Sequence, residues 1–384
     1  ISSAASDVYK RQIEFINDGL MTIFFLLVGL EIKRELLVGE LSSFRKAALP
    51  FIAACGGMLL PVLVFMSICP PGSEGGQGLA IPMATDIAFS LGVLSLLGSR
   101  VPLSLKIFLT AFAVVDDIGG ILVIAIFYSS HVSYGYILVA VLLYILLYFI
   151  GKRGATNKIF FLVIGVVIWY LFLQSGIHST ISGVILAFVI PAKPRLDVGK
   201  YIEHIRHTIA GFPVMESGSI VLTNEQIAKL KEVESASDRV ISPLQSFEDN
   251  LHGAVNYLIL PLFAFVNAGV VFSGGGELVG DVGIAVAAGL LFGKFAGIYF
   301  FTWLAIKIKL TPMPPGMTWT NLSGIALLGG IGFTVSLFIA NLSFGANFPI
   351  LLNQAKFGVL SGTILSGLLG YIVLWIVLPA RRRK

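Results

Sequence analysis

The stretch AVVDDIGGI, residues 113–121, places two adjacent carboxylates, Asp116 and Asp117, inside a predominantly apolar segment that runs from Leu105 to Tyr128. An apolar run of this length can cross the roughly 30 Å hydrocarbon core of a bilayer. Ionisable groups at that depth are costly, and they usually mark an ion or proton path. The stretch therefore predicts a membrane-spanning helix whose acids have a function.

The composition of the whole chain agrees with this reading. Of its 384 residues, 56% are hydrophobic and only 12% are charged, and its mean hydropathy is +0.92. Soluble globular domains carry about 25% charged residues, so that class is excluded. The apolar runs are also longer than the roughly 10-residue alternating strands of a transmembrane barrel. We therefore predict an all-α polytopic membrane protein.

The net charge of +5 does not indicate a nucleic-acid partner. Basic residues concentrate in the cytoplasmic loops of membrane proteins, and this bias explains the charge. The two cysteines, Cys55 and Cys69, both belong to one apolar span or its edge. They suggest neither a disulfide framework nor a Cys/His metal site.

Apolar runs divide the chain into eleven predicted spans. Their approximate positions are 18–38, 47–69, 80–98, 103–128, 134–150, 158–174, 177–191, 251–272, 282–305, 321–342 and 356–378. Only Gln174, Ser175 and Gly176 separate the sixth span from the seventh, which predicts a tight turn between antiparallel helices.

Loop charge gives the predicted orientation. Alternate loops contain Lys or Arg, whereas the loops between them at 70–78, 129–133, 273–281 and 341–354 contain none. Because the basic side of a membrane protein is cytoplasmic, we expect the C-terminus inside. The basic groups of these loops are Lys33, Arg34, Arg45, Lys46, Arg100, Lys152, Arg153, Lys158, Lys307, Lys309 and the tail at 381–384, together with the long loop at 192–250.

An odd number of spans places Asn17 and Asp18 outside, so we expect one further helix upstream and twelve spans in the natural protein. A natural eleven-span protein is the alternative. The first twelve residues have no signal-peptide pattern and are interpreted as a junction segment. The loop at 192–250 is predicted to be cytoplasmic with one helix, starting at Thr223. The predicted divisions are 1–12 (junction), 13–191 (membrane), 192–250 (cytoplasmic loop), 251–380 (membrane) and 381–384 (basic tail).

Four charged residues lie at membrane depth in this reading: Asp86, Asp116, Asp117 and Lys294. Neighbours on an α-helix point about 100° apart, so Asp116 and Asp117 cannot share one direction. Ion pairing that merely holds helices together fits one acid with one lysine, but it leaves a surplus of carboxylates here. That surplus must bind protons or a metal cation, and oxygen-preferring Na⁺ or Li⁺ would compete with H⁺ for it.

Two of the predicted spans look broken. Pro82 precedes Thr85 and Asp86 in the third span, and Gly330 and Gly332 belong to a glycine cluster in the tenth. Unwound backbone at that depth is tolerated only where it lines protein or a cavity. Each break lies in the middle of a three-span group, which predicts an inverted repeat with a binding site at its interface. Two continuous, glycine-packed helices are the alternative.

Several of these stretches together resemble NhaA-type Na⁺/H⁺ antiporters, an inverted-repeat family. The resemblance extends from Ile13 to the last span, apart from the loop at 192–250. The stretches that carry it are INDGLMTIFFLLVGLEIKREL, ATDIAFSLGVL, FAVVDDIGGI, SGIHSTISGV, YLILPLFAFVNAGV, FGKFAGI and GGIGFTVSLFIA.

The resemblance implies roles for individual residues. It implies that Asp117 is the principal Na⁺ and proton site and that Asp116 is its neighbour, paired with Lys294 in one state. Thr85 and Asp86 would lie where the two broken helices cross. The positions implied to take part in a pH response are Glu31, Arg34, Glu35, His178 and Glu248, although His178 could equally be a packing imidazole.

The expected function is therefore secondary transport that exchanges cytoplasmic Na⁺ or Li⁺ for external H⁺, electrogenic and pH-regulated. We expect no cofactor, no nucleic acid, a possible homodimer, and a location in the bacterial inner membrane. An intramembrane aspartyl protease would instead need Tyr-Asp and Gly-x-Gly-Asp settings, which Asp86 and Asp117 lack. A cation channel is the third reading, and broken helices with a membrane lysine favour alternating access over it.

Overall fold

A computed structural model describes residues 16–129, 132–153, 157–193, 198–211, 222–270, 279–345 and 347–379. The junction segment at 1–12 and the basic tail at 381–384 lie outside these ranges. Within them all regular structure is helical. The α-helices are α1 Met21–Leu37, α2 Phe44–Ile68, α3 Ile87–Ser95, α4 Leu103–Phe127, α5 Tyr134–Lys152, α6 Lys158–Ser175, α7 Thr180–Val189, α8 Val198–Ala210, α9 Asn224–Val240, α10 Pro243–Ala254, α11 Leu260–Asn267, α12 Asp281–Ala288, α13 Lys294–Lys307, α14 Trp319–Leu328, α15 Phe333–Phe344 and α16 Pro349–Val377.

Six helices of the described chain are long and apolar enough to cross a membrane, or up to eight crossings if each of two bent pairs forms one span. The six are α2, α4, α5, α6, α16 and the unit Asp281–Lys307, in which the turn Gly289–Gly293 joins α12 to α13. The predicted spans at 18–38, 177–191 and 251–272 correspond to shorter helices, and their crossing of the membrane stays a prediction.

Both spans predicted to be broken are bent. The helical turns within Glu74–Met83 meet α3 at 46°, and α14 meets α15 at 44°. The first bent unit begins at Glu74, although residues 70–78 were predicted to form a loop. Short 3₁₀ turns at Glu74–Gly78 and Ile81–Met83 replace an α-helix there. A segment with three glycines in five residues lacks the side chains that favour a longer helix, which is why it resembled a loop.

The tight turn predicted between the sixth and seventh spans is present. α6 ends at Ser175, and Gly176 follows with φ +81°. That left-handed conformation favours glycine, since a Cβ would clash with the backbone there. The chain then enters α7 at Thr180.

The loop at 192–250 holds more helix than the one predicted. α8 and α9 pair with each other, and α10 continues through the turn Val255–Ile259 into α11. The capping box that starts α9 is as expected: Thr223 Oγ1 accepts from Gln226 N, and Gln226 Oε1 accepts from Thr223 N. The expected boundary at 250/251 falls inside α10, because Ser242 caps that helix eight residues earlier.

Two groups of helices can be distinguished by their apolar cores. We call α1, α5, α6, α7, α10 and α11 the flanking bundle. The first five pack around Leu30, Leu147, Phe161, Ile168, Phe172 and Phe247, and α11 joins α1 through Leu27 and Leu260. The crossing bundle comprises α2, α4, α12, α13, α16 and both bent pairs. Its largest separate core is formed by Leu105, Phe112, Ile298, Ile325, Leu328 and Leu374, whereas α12 and α15 belong to a cluster that also includes Phe25 and Phe263. The charged residues predicted at membrane depth all belong to the crossing bundle.

Candidate functional site

The first break is an extended segment, Ala84 to Asp86, which interrupts the helical path just before α3. Asp86 has φ −94° and ψ 103°, and its Oδ1 accepts a hydrogen bond of 3.1 Å from Phe89 N. This is an N-cap interaction, which satisfies an amide that a helix start leaves without an intrahelical partner. Asp86 therefore begins α3 rather than lying within a continuous helix. Pro82 lies just upstream, in the turn Ile81–Met83.

The second break, Gly329 to Gly332, lies directly against the first. Thr85 Oγ1 donates to Gly329 O at 2.8 Å, and Asp86 N donates to Ile331 O at 2.6 Å. Ser90 Oγ donates to Leu328 O at 3.0 Å. Helix ends leave backbone carbonyls without intrahelical donors. The polar groups of the first break thus satisfy the carbonyls that the end of α14 exposes.

The glycines of the second break allow this close approach. Gly330 lies against other segments, since a Cβ built on it would clash with Leu290 O and lie 2.6 Å from Ser366 Oγ of α16. Gly332 has φ −107°, so its backbone does not require glycine. A Cβ there would instead lie 2.8 Å from Ala84 O, a backbone atom of the first break. The cluster therefore permits contact between the two breaks.

Asp86 also caps the second half-helix. Its Oδ2 accepts from Thr334 N at 3.1 Å and from Thr334 Oγ1 at 2.5 Å. Thr334 stands in the first turn of α15. One carboxylate, only 3% exposed, thus faces the amino ends of both α3 and α15. Negative charge is favourable at both positions because helix dipoles are positive at their N-termini.

Lys294 joins the crossing to Asp116. Its ammonium, which is completely buried, donates to Asp116 Oδ2 at 2.7 Å and to Thr85 Oγ1 at 2.9 Å. It also lies 5.6 Å from the centroid of the Phe112 ring, which adds a cation–π contact. The Thr85 hydroxyl in turn donates to Gly329 O, so two hydrogen bonds through Thr85 connect Lys294 to the C-terminal end of α14.

One oxygen of Asp116 is left over. Its Oδ1 is buried and has no hydrogen-bond partner within the described ranges. Buried polar atoms are almost always paired, so an orphan carboxylate oxygen calls for an explanation. A bound cation or a proton would supply one.

Asp117 lies on the other side of α4 and faces open space. It is 6% exposed and lines a cavity of about 1040 Å³, as do Thr85 and Asp86. Of the residues that the structure describes, none donates a hydrogen bond to its carboxylate. The cavity, which we call the funnel, extends to Glu31, Arg34 and His252. Asp117 is thus a carboxylate that a small ion can reach from that side.

The far end of the funnel carries a second group of charges, which we call the rim: Glu31, Arg34, Glu35, Glu248 and His252. Arg34 forms an ion pair with Glu248 and a longer one, 3.4 Å, with Glu35. His252 Nε2 lies 3.3 Å from Glu31 Oε1.

Glu248 lies just before the predicted span at 251–272, at the rim. Burial raises the pKa of its carboxyl, and the neighbouring Arg34 guanidinium opposes that rise. The four residues predicted for a pH response on α1 and α10 are therefore together, and they are joined by a histidine.

His178 does not belong to this group. Its Nε2 lies 3.8 Å from Asp18 Oδ1, its Nδ1 is 2.9 Å from Thr180 Oγ1, and its ring meets Phe338 edge-on at 5.3 Å. Asp18 precedes Glu31 by thirteen residues, which is about 20 Å along a helix at 1.5 Å per residue. His178 thus lies on the face opposite the rim, in a packed setting.

Sequence reasoning missed Thr334, Ser90 and His252 as site residues. Thr334 repeats the arrangement at Thr85, a hydroxyl beside a broken backbone, and that likeness could have identified it. His252 follows Glu248 by four residues on one helix face, which is a weaker signal. Ser90 carries no signal, because only the crossing places Leu328 O against it.

The donor set at the crossing suits a hard cation. Asp116 and Asp117 offer carboxylate oxygens, and Thr85 offers a hydroxyl. Oxygen donors of this kind suit hard metal cations, whereas soft metals select sulfur. No group at the crossing indicates redox or nucleophilic chemistry.

Comparison with known proteins gives a consistent result. The profile of the family described as Na⁺/H⁺ antiporter 1 matches residues 2–374. A Bacteroides thetaiotaomicron protein described as Na(+)/H(+) antiporter NhaA is 94% identical over 374 residues, which is 97% of this chain and 85% of that protein. A Bacteroides fragilis protein of the same description is 82% identical over 370 residues (96% and 85%), and one from Phocaeicola vulgatus is 63% identical over 367 residues (95% and 82%).

Proposed function

The chain belongs to the Na⁺/H⁺ antiporter 1 family and is a multi-pass membrane transporter, not an enzyme, and we propose that it exchanges cytoplasmic Na⁺ or Li⁺ for external H⁺ at the crossing of its broken helices. The observation that supports this most is a surplus of charge. Asp86, Asp116 and Asp117 meet a single buried cation, Lys294, among the described residues of the crossing. An unpaired buried carboxylate is costly, so it must take up a proton or a metal ion.

We assign the principal site to Asp117. It alone of the three acids faces the funnel without a donor in the described ranges, so Na⁺ and H⁺ can compete for the same oxygens. The orphan Oδ1 of Asp116 is the second oxygen we assign to the ion. Thr85 and Asp86 hold the crossing in shape, and Lys294 balances Asp116 while the site faces the funnel.

The cycle that follows from competition has two alternating states. On the funnel side the carboxylates release protons and take Na⁺, and the crossing bundle then reorients. On the opposite side they take protons and release Na⁺. If two protons exchange for one Na⁺, each cycle moves one net charge, which is worth about 2.3 kcal/mol per 100 mV.

The membrane arrangement is also part of this proposal. The basic loops place the funnel and the C-terminus on the cytoplasmic side. The two bent pairs correspond in position within their three-span groups, which supports an inverted repeat. We propose a location in the bacterial inner membrane, no cofactor, and a homodimer as the assembled form.

We further propose that the rim tunes exchange to pH. Its ion pairs lie in the funnel that leads to Asp117. Protonation of Glu248 or His252 changes the charge that an entering Na⁺ meets. His178, on the opposite face, is proposed to take part only through its contact with Asp18.

The test uses proteoliposomes that report proton movement on addition of Na⁺. Asp117→Asn removes the proposed site with little change in volume, and Asp281→Asn makes the same chemical change at an exposed position that begins α12. We expect Na⁺-dependent proton movement to vanish in the first variant and persist in the second. Exchange at the wild-type rate in Asp117→Asn would overturn the site assignment.

The same vesicles separate an exchanger from a channel. A channel would pass Na⁺ without a counter-flux of protons, and its flux would not depend on a proton gradient. Family membership already excludes the aspartyl protease alternative, since the relatives are described as antiporters.

A further inference from the structure

Three asparagines form a chain of hydrogen bonds on the face opposite the rim. Asn267 Nδ2 donates to Asn17 Oδ1 at 2.8 Å, and Asn341 Nδ2 donates to Asn267 Oδ1 at 2.9 Å. Asn267 is 2% exposed, and its second Nδ2 proton goes to Phe263 O at 3.0 Å. We call this the amide chain. Its central member uses both its donors and its acceptor, so its geometry is fixed.

The amide chain joins the two bundles. Asn17 lies in the turn Ile16–Leu20 that leads into α1, and Asn267 ends α11, so both belong to the flanking bundle. A shared apolar cluster of Leu27, Val255, Ile259 and Leu260 holds those two helices together. Asn341 belongs to α15, the second half of a broken span in the crossing bundle. Only the contact between Asn267 and Asn341 crosses the boundary between bundles.

An aromatic cluster lies in the same layer and crosses the same boundary. Phe338, fully buried and one turn before Asn341 on α15, lies 5.9 Å from the ring of Phe25 and 6.3 Å from that of Phe263. The ring of His178 meets it edge-on at 5.3 Å. The three partners of Phe338 all come from the flanking bundle or the segment that enters it. This layer therefore packs α15 against the flanking bundle.

We propose that the amide chain and Phe338 form the gate that closes the site on the face opposite the funnel. This inference rests on the proposed exchange. In alternating access, the contacts that close the face opposite the funnel must separate when the funnel side closes. The site is open to the funnel in this structure, and the Asn267–Asn341 contact and Phe338 are among the contacts that join α15 to the flanking bundle.

The chemistry of the gate suits a contact that breaks and reforms. An amide pair that separates exchanges its hydrogen bonds for bonds to water, so the net change in free energy is small. An entirely apolar layer of the same area would resist wetting more strongly. Asn267 and Asn341 are therefore positioning residues that favour one state without locking it.

Reversible cross-linking tests the gate. In a background of Cys55→Ala and Cys69→Ala, the pair Asn267→Cys/Asn341→Cys spans the boundary between bundles. The pair Asn17→Cys/Asn267→Cys lies within the flanking bundle and is the matched control. Each pair is joined by a short bis-methanethiosulfonate reagent and released by dithiothreitol. The exchange rate of each protein is therefore compared before and after reduction.

We expect the cross-link between 267 and 341 to reduce Na⁺-dependent proton movement to the level of protein-free vesicles, with full recovery on reduction. The cross-link between 17 and 267 should leave the rate equal before and after reduction. A fully cross-linked 267–341 pair that exchanges as fast as its reduced form contradicts the gate.

A labelling experiment that needs no transport separates this inference from the proposed function. Asn341→Cys, alone in the same background, is reacted with a membrane-impermeant maleimide on the face opposite the rim. We expect the rate at which Asn341→Cys is labelled to change when Na⁺ or pH changes. The labelling rate of Ser133→Cys, which is exposed on the same face, should stay constant. If labelling at position 341 changes with Na⁺ or pH in a protein that shows no exchange, the proposed function is wrong but the gate is still supported. Constant labelling at 341 in an exchanging protein overturns the gate.

Discussion

The crossing of the broken helices and the rim of the funnel each pair carboxylates with basic groups, but in different surroundings. The side chains of Lys294 and Asp116 are both 0% exposed, whereas that of Arg34 at the rim is 38% exposed. In the crossing, the partners are fixed by backbone and hydroxyl groups as well as by charge. At the rim, water can replace a lost partner of Arg34, but the side chain of Glu248 is only 3% exposed.

This difference predicts how each region responds to change. Removal of one member of a buried ion pair leaves a charge that neither water nor protein stabilises, and this costs about 3–5 kcal/mol. An exposed pair contributes about 0–1 kcal/mol, because solvent screens it. We therefore expect the crossing to determine whether the protein folds and exchanges, and the rim to adjust the conditions under which it does so.

The largest effect on stability is expected for Lys294→Met. This change leaves Asp116 buried without its cation, so at alkaline pH the free energy of unfolding should fall by about 3–5 kcal/mol. Unfolding in mixed micelles measures it. The control is the double variant Lys294→Met/Asp116→Leu, in which both charges are gone and most of the stability should return, though not exchange. A single variant as stable as the wild type would mean that the pair is not buried as described.

The second-largest loss of stability is expected when the cap that α3 and α15 share is removed. Asp86→Ala takes an acceptor from the amino ends of α3 and α15 at once, so we expect a loss of about 2–4 kcal/mol, since one cap is worth about 1–2 kcal/mol. Asn157→Ala, which removes the single cap of α6, is the matched comparison. Equal losses in the two variants would show that Asp86 does not cap both half-helices.

Thr334→Val should have a smaller effect. It removes the hydroxyl donor to Asp86 but keeps the backbone donor, and a hydrogen bond to a charged group is worth about 1.5–3 kcal/mol. Thr334→Ser keeps the hydroxyl and should restore the stability. The same unfolding assay applies. No difference between the valine and serine variants would remove Thr334 from the crossing's polar network.

The smallest effect is expected at the rim, and it should depend on pH. Burial raises the pKa of Glu248, so its carboxyl becomes charged at a higher pH than an ordinary glutamate. At a pH above that pKa, the Glu248 carboxylate attracts Na⁺ to the funnel. At a pH below it, the protonated carboxyl is as uncharged as the glutamine that replaces it. Glu248→Gln should therefore weaken the apparent Na⁺ affinity only on the alkaline side, by about fivefold at most, as expected for roughly 1 kcal/mol.

The control for this prediction is Glu40→Gln. Glu40 pairs with Lys46 at 3.8 Å and does not line the funnel. Its replacement should leave the pH profile of exchange unchanged. A Glu248→Gln protein whose Na⁺ affinity changes equally at every pH would show that titration of this carboxyl plays no part.

Much of the crossing could be predicted from sequence, because charged residues are rare in the apolar runs of membrane-spanning helices. Asp86, Asp116, Asp117 and Lys294 stand out in apolar runs, and the structure brings all four to one crossing. The family resemblance was confirmed by the comparisons. The glycine cluster at 329–332 marked the second break, since unwound backbone needs small residues to approach another chain segment.

Other features depend on tertiary contacts that no local pattern records. The double cap by Asp86 requires α15 to begin next to α3, and Ser90 has a partner only because α14 ends beside it. The start of the first bent unit at Glu74 was missed because short 3₁₀ turns of glycine have the composition of a loop. The separation of His178 from the rim follows from its place beyond α6, which topology alone reveals.

The most direct test of the account is proton release from the detergent-solubilised protein when Na⁺ is added without buffer. If Na⁺ and H⁺ compete for Asp117, Na⁺ must displace protons from the wild type, and K⁺ at the same ionic strength must not. We predict that release is lost in Asp117→Asn and retained in Asp281→Asn. Undiminished Na⁺-dependent release from Asp117→Asn would contradict competition at this carboxylate.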